Sequence, residues 1–184
     1  MQEGEDEIVI PDKVVDRESE VPLPQNRWWK GLRGEWYLVI QAGLLLLVAF
    51  GPRTLRGLPA WTSPYTWLGS LGGSVLLAAG ILFAATGAVN LGKNLTPLPQ
   101  PKKDATLITS GAYRFVRHPI YSGIILMAIG WGLWLHSWLN VGYALLLFAF
   151  LDIKSRREEK WLLEKFPEYA AYRKRARKLI PFLY

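Results

Sequence analysis

The stretch YRFVRHPIYSG (113–123) sets two arginines, a histidine and two tyrosines against an apolar run. Arg114 and Arg117 are three residues apart, so they share a face if the stretch is helical. His118 precedes Pro119, which biases it away from α geometry. Tyr121 and Gly123 open the apolar segment, and Gly123 leaves room for something to approach the backbone. A second cluster, REEKWLLEKFPEYAAYRK, carries the adjacent carboxylates Glu158 and Glu159. Trp161, Leu162 and Phe166 form an apolar stripe beside them, and Pro167 starts a new turn bearing Tyr169 and Tyr172. Arginine and histidine can hold an anionic group, and paired carboxylates near a lipid surface can receive a cationic one. Each cluster also has a plainer reading. The arginines can snorkel to lipid phosphate while the tyrosines join an aromatic belt. Arg156 and Glu159 can form a surface pair worth about 0.2–0.5 kcal/mol.

The elements that must position these residues are apolar spans. A hydrocarbon core of about 30 Å needs about 20 helical residues. Residues 36–51, 67–91, 119–135 and 139–153 supply four such runs, the last two separated by HSW, which demands an antiparallel helical hairpin. Gly69 and Gly73 form a GxxxG suited to close helix packing. Three prolines in 97–101 forbid a continuous helix through the connection between the second and third spans, and Pro119 suits the first helical position. Asn94-Leu95-Thr96 matches a glycosylation sequon, but a proline follows and the predicted side is cytoplasmic, so it is set aside.

Charge is unevenly distributed. Residues 1–24 hold eight acids and two bases, whereas the whole chain is +7. The expected organisation is an acidic, disordered tail over 1–26 and a basic membrane domain over 27–184. The tail lacks the basic-then-apolar pattern of a signal peptide, and its short apolar patches can dock a protein partner. Basic residues flanking apolar spans favour anionic headgroups over nucleic acid. Arg27, Lys30 and Arg33 precede the first span, five bases lie between the second and third, and ten follow Asp152. The third-to-fourth turn has no lysine or arginine, so both termini are expected to be cytoplasmic. Absence of cysteine excludes disulfides, thiol nucleophiles, palmitoylation and Cys-based zinc sites, and no metal is expected.

In order and spacing, GAYRFVRHPIYSG, an apolar hairpin and REEKWLLEKFPEYAAYRKRARKLIP resemble the isoprenylcysteine carboxyl methyltransferase and phospholipid methyltransferase superfamily. The resemblance covers about residues 90–182. It implies an all-α integral membrane enzyme of about four spans, using S-adenosylmethionine, with a C-terminal cytosolic helical segment (154–184) covering a cofactor pocket. By matched motif, Tyr113, His118, Tyr121, Gly123 and Leu162 would line that pocket, with Glu158 and Glu159 opposite. Either glutamate can accept from the cofactor's ammonium or ribose hydroxyls, while Trp161, Leu162 and Phe166 suit adenine. A carboxylate acceptor needs no base, only an orienting cation. Arg117 is the residue expected there, catalytic together with Glu159, with Arg173 or Arg177 behind it as substrate-binding residues. Of the two histidines, His136 lies in the hairpin turn and is expected to be structural. The acceptor is expected to be membrane-dissolved: a prenylated protein, a phospholipid, an isoprenoid or quinone lipid. Sterol-type membrane reductases using NADPH resemble the same C-terminal pattern, but there the RHP-like motif is followed by Asn-Tyr and soon an acid. Here Ile120 follows, with no acid until Asp152. A non-catalytic membrane subunit is the other alternative, although it would need none of His118, Tyr121, Glu158 and Glu159.

Overall fold

The computed structural model describes residues 34–180 and 184. The acidic tail and Arg27, Lys30 and Arg33 lie outside the described residues. The described residues form helices α1 (Glu35–Phe50), α2 (Tyr65–Leu91), α3 (Pro119–Trp134), α4 (Trp138–Lys165) and α5 (Tyr169–Arg175), with no strand among them. α2 and α4 are long and apolar enough to cross a membrane; α1 and α3, at 16 residues each, are shorter apolar helices.

α2 and α3 pack through glycine. The buried residues of α2 are Gly69, Gly73, Gly80 and Gly87, while Leu71, Val75, Ile81 and Leu82 point outward. A Cβ on Gly80 would lie 2.7 Å from the Gly123 carbonyl oxygen, and one on Gly123 would lie 2.5 Å from that of Gly80. Between lipid-facing helices, apolar side chains gain little from burying against each other, so backbones approach through small residues. The expected Gly69–Gly73 pair is thus the end of a longer seam. Gly123, expected in the cofactor pocket, is spent on this contact.

α3 and α4 form the expected hairpin. Ser137 caps α4 by accepting from the Asn140 N–H at 3.2 Å. His136 sits at φ 52° and bonds Ser70 and the Thr66 carbonyl, at 3.0 and 2.8 Å, which ties the turn to α2. α1 docks on α4 through Asn140, which donates to the Val48 carbonyl at 2.7 Å, and through a core of Val48, Ile125, Ala128, Ala144, Leu147 and Leu151.

The fourth helix differs from expectation. It does not stop at 153 to hand over to a separate C-terminal segment but runs unbroken to Lys165. No glycine or proline interrupts 154–165, the Asp152–Arg156 pair at 2.8 Å supports the i,i+4 register, and Pro167 supplies the stop. The extension carries both glutamates away from the apolar section on a rigid rod.

Candidate active site

The RHP segment is held by a backbone zipper. After a tight turn at Gly111–Arg114, the chain extends, and Val116 bridges Arg177 in parallel. The Arg177 N–H donates to the Phe115 carbonyl at 3.3 Å, the Arg117 N–H to the Arg177 carbonyl at 2.7 Å, and the His118 N–H to the Lys178 carbonyl at 3.2 Å. Ser122 donates to the Leu179 carbonyl at 2.5 Å. Helix α3 starts at Pro119, as its ring favours. The stretch before it is not one helix, so Arg114 and Arg117 do not share a face: Arg114 is exposed, whereas the Arg117 side chain is 9% exposed.

Glu159 organises this corner. It accepts from Arg117 Nε at 2.8 Å, lies 3.2 Å from His118 Nε2, and reaches Arg173 Nε at 3.5 Å. Arg117 also donates through Nη1 to the carbonyls of Ala176 and Arg173, at 2.5 and 3.2 Å. Burial pushes the Glu159 carboxyl upward, but the hydrogen bonds and charges of His118 and Arg117 outweigh it and hold the group down to about 2. Glu158 faces the other way. Its Oε2 accepts from the Tyr121 hydroxyl at 2.9 Å and lies 3.7 Å from His118 Nδ1, while Oε1 has no hydrogen-bond partner among the described residues. The His118 ring stacks on Tyr121, centroids 5.4 Å apart and planes 8° from parallel.

Glu158 borders a cavity of about 350 Å³ between the 94–108 loop, α3, α4 and α5. Leu95, Leu98, Leu107 and Ile108 form its loop wall, and Leu162 and Phe166 its helical wall. Lys165 pins the loop by donating to the carbonyls of Lys102 and Lys103, and Asn94 donates to the Thr106 carbonyl at 3.1 Å. Tyr113, Arg117, His118, Tyr121, Glu158 and Leu162, all expected from sequence, border this cavity. The remaining expected residues lie elsewhere. Gly123 faces α2, and Trp161 lies beneath the Arg157 guanidinium at 4.8 Å. Glu159, Arg173 and Arg177 border a separate basic cleft on the far side of Arg117.

Of the lining residues not anticipated from sequence, three bear directly on the site's chemistry. Lys154 is 1% exposed, within α4; it donates to Gln41 of α1 at 2.5 Å and to the Pro97 carbonyl at 3.0 Å, joining α1 and the loop. A lone lysine one turn before Glu158 at the end of an apolar run was a legible signal. Tyr172 donates to the Tyr113 carbonyl at 2.6 Å. Tyr169 is 1% exposed, and its hydroxyl has no hydrogen-bond partner among the described residues. Burial and the nearby charge of Glu159 raise the Tyr169 phenol well above its ordinary value, so it stays protonated, a donor with no acceptor among the described residues.

Comparison with known proteins agrees with this architecture. The family model described as phospholipid methyltransferase matches residues 68–169. Human protein-S-isoprenylcysteine O-methyltransferase is 33% identical over 122 residues, covering 64% of this chain and 43% of that protein. The cobalt-zinc-cadmium resistance protein CzcN of Cupriavidus metallidurans is 32% identical over 152 residues, covering 82% of this chain and 63% of that protein. A solved structure of the eukaryotic intramembrane Ras methyltransferase ICMT superposes with a TM-score of 0.59 at 22% identity, covering 88% of this chain and 55% of the other, a likeness of fold. The chain thus spans about two-fifths to three-fifths the length of these relatives. With the family model covering more than half the chain, across the glycine seam, the RHP turn and both glutamates, the chain belongs to the phospholipid methyltransferase family.

Proposed function

We propose that this protein is an S-adenosylmethionine-dependent methyltransferase acting on a lipophilic acceptor dissolved in the membrane, with a carboxylate as the accepting group. The observation that carries the reading is one cavity bordered by both sequence clusters, mostly apolar in its lining but bordered also by Glu158, His118 and Arg117. Its volume of about 350 Å³ lies in the range of small-molecule sites. The unpartnered Tyr169 hydroxyl supports the fit, because a buried donor left unmade costs about 1–3 kcal/mol unless a ligand accepts from it.

When bound, the cofactor supplies a methyl group on a positively charged sulfur. Glu158, with one oxygen free, accepts from its ammonium or ribose hydroxyls. His118 holds its carboxylate, and Leu162 and Phe166 flank the adenine. Tyr169 donates to a polar atom of the same ligand. Arg117 Nη2, without a hydrogen-bond partner among the described residues, orients an anionic acceptor. Glu159 does not itself line the cavity and acts as a positioning residue that fixes two residues that do, Arg117 and His118. Positioning and exclusion of water supply the rate, since a carboxylate acceptor needs no base. The topology that suits this chemistry has four spans, with both termini and the cavity mouth on the cytoplasmic side.

Incubating the purified protein with methyl-labelled S-adenosylmethionine and a membrane lipid extract tests the reading. A labelled, lipid-soluble product that base hydrolysis releases as methanol is expected of a carboxylate acceptor. Label in a base-stable lipid would move the acceptor to an amine or carbon. No product, together with no cofactor binding and a response to NADPH, would replace methyl transfer by reduction.

A further inference from the structure

Behind Arg117, away from the apolar cavity, lies a second concavity of about 640 Å³. Eight cationic side chains border it against one carboxylate, Glu159. That carboxylate is already committed to Arg117, His118 and Arg173. Arg156 and Lys178 are likewise committed, both to Asp152. Lys160, Lys174, Arg175 and Arg177 remain, with no ion pair or side-chain hydrogen bond among the described residues. Three of the cleft's bases, Arg173, Lys174 and Arg175, occupy the last turn of α5, where the helix dipole favours positive charge. That dipole is worth about half a unit of negative charge, too little to offset four unpaired cations. Like charges gathered around a concave wall repel one another unless an anion sits among them.

We infer that this cleft is a phosphate-binding site, distinct from the methyl-transfer cavity and sharing Arg117 with it as a common wall. A phosphate group carries up to two charges and several acceptor oxygens, which matches a ring of guanidinium and ammonium donors better than a single carboxylate does. Lys160 lies seven residues past Ile153, the end of the apolar section of α4, or about 10 Å along the helix. If α4 crosses the bilayer, that height is a few ångströms beyond a headgroup layer of about 5–7 Å and within reach of a lysine side chain, so the phosphate can belong to a headgroup or to a soluble molecule. The inference does not depend on methyl transfer, and its test contains no cofactor.

The test uses the full chain in nonionic detergent, titrated calorimetrically with dihexanoyl phosphatidic acid and, separately, with inorganic phosphate. Two triple variants carry the same loss of charge. Lys160→Ala/Lys174→Ala/Arg175→Ala empties the cleft rim, and Lys93→Ala/Lys103→Ala/Arg114→Ala removes exposed bases outside it. The first is expected to weaken binding at least about tenfold, as loss of charged hydrogen bonds should, and the second by less than about twofold. Tighter binding of the lipid than of free phosphate assigns a headgroup; equal binding assigns a soluble phosphate. Equal losses in the two variants would show diffuse attraction and overturn the site, as would no binding of either probe. Because the cleft variant removes exposed side chains that make no ion pair or side-chain hydrogen bond among the described residues, its unfolding temperature is expected to match that of the control.

Discussion

The apolar cavity and the basic cleft meet at Arg117 and otherwise contrast in every respect. The cavity is walled by leucine, proline and aromatic side chains and holds a carboxylate with a free oxygen; the cleft is walled by cations and holds a carboxylate with none to spare. Those carboxylates, Glu158 and Glu159, are consecutive residues. On a helix of about 3.6 residues per turn, neighbours point roughly 100° apart, and here that angle separates a ligand-facing group from a structural one. The lesson is that two adjacent acids are not one motif with doubled charge. One offers its lone pairs outward, and the other spends them on holding the arginine and histidine in place.

The contrast can be broken most forcefully at Glu159. Glu159→Ala leaves Arg117 buried without its carboxylate, which should cost about 3–5 kcal/mol of stability. A large fall in unfolding temperature in detergent is the expected observation; a variant as stable as the parent would make Glu159 a ligand group after all. The same pair gives a pH signature. The depressed value of Glu159 means its contribution is fully present above the ordinary carboxylate value of 4.5 and is lost as pH falls toward about 2. Denaturant unfolding followed through that window should show a declining acid limb, flattened in Glu159→Gln.

Glu158→Gln should do the reverse. It retains an acceptor for Tyr121, so the unfolding temperature should hold, while S-adenosylmethionine binding measured by calorimetry should weaken by about 10–100-fold. Strong destabilisation with unchanged binding would dissolve the distinction between the two glutamates. The smallest effect is expected at Tyr169→Phe, which removes a hydroxyl without a partner among the described residues. Cofactor affinity should drop by about 5–10-fold with stability unchanged or slightly raised. A fall in stability with intact affinity would show instead that the hydroxyl serves the fold.

Much of this was legible in the chain. The hairpin follows from two apolar runs with three residues between them, and Pro119 marks the start of α3. The meeting of RHP with the two glutamates follows once that hairpin returns the chain to the same face. Gly123 misled because a glycine that admits a ligand and one that admits a helix backbone look alike in sequence; α2, with its glycines every seventh residue from Gly73 to Gly87, claims it. Arg173 and Arg177, expected to back Arg117 toward the substrate, border the basic cleft and not the cavity, because the pair formed by Arg117 and Glu159 divides the space between them. The length of α4 was underestimated because hydropathy ends at Ile153 while helix-forming side chains do not.

The sequence by itself determined the apolar helices, the hairpin and the residue types that must gather at one end of the bundle, because apolar length and helical period are properties of neighbouring residues. Tertiary structure decided which side of Arg117 each charge serves. That choice depends on the rotation of α4 about its axis and on the zipper between residues 115–122 and 177–179, and both are fixed by contacts between segments about 40 to 60 residues apart.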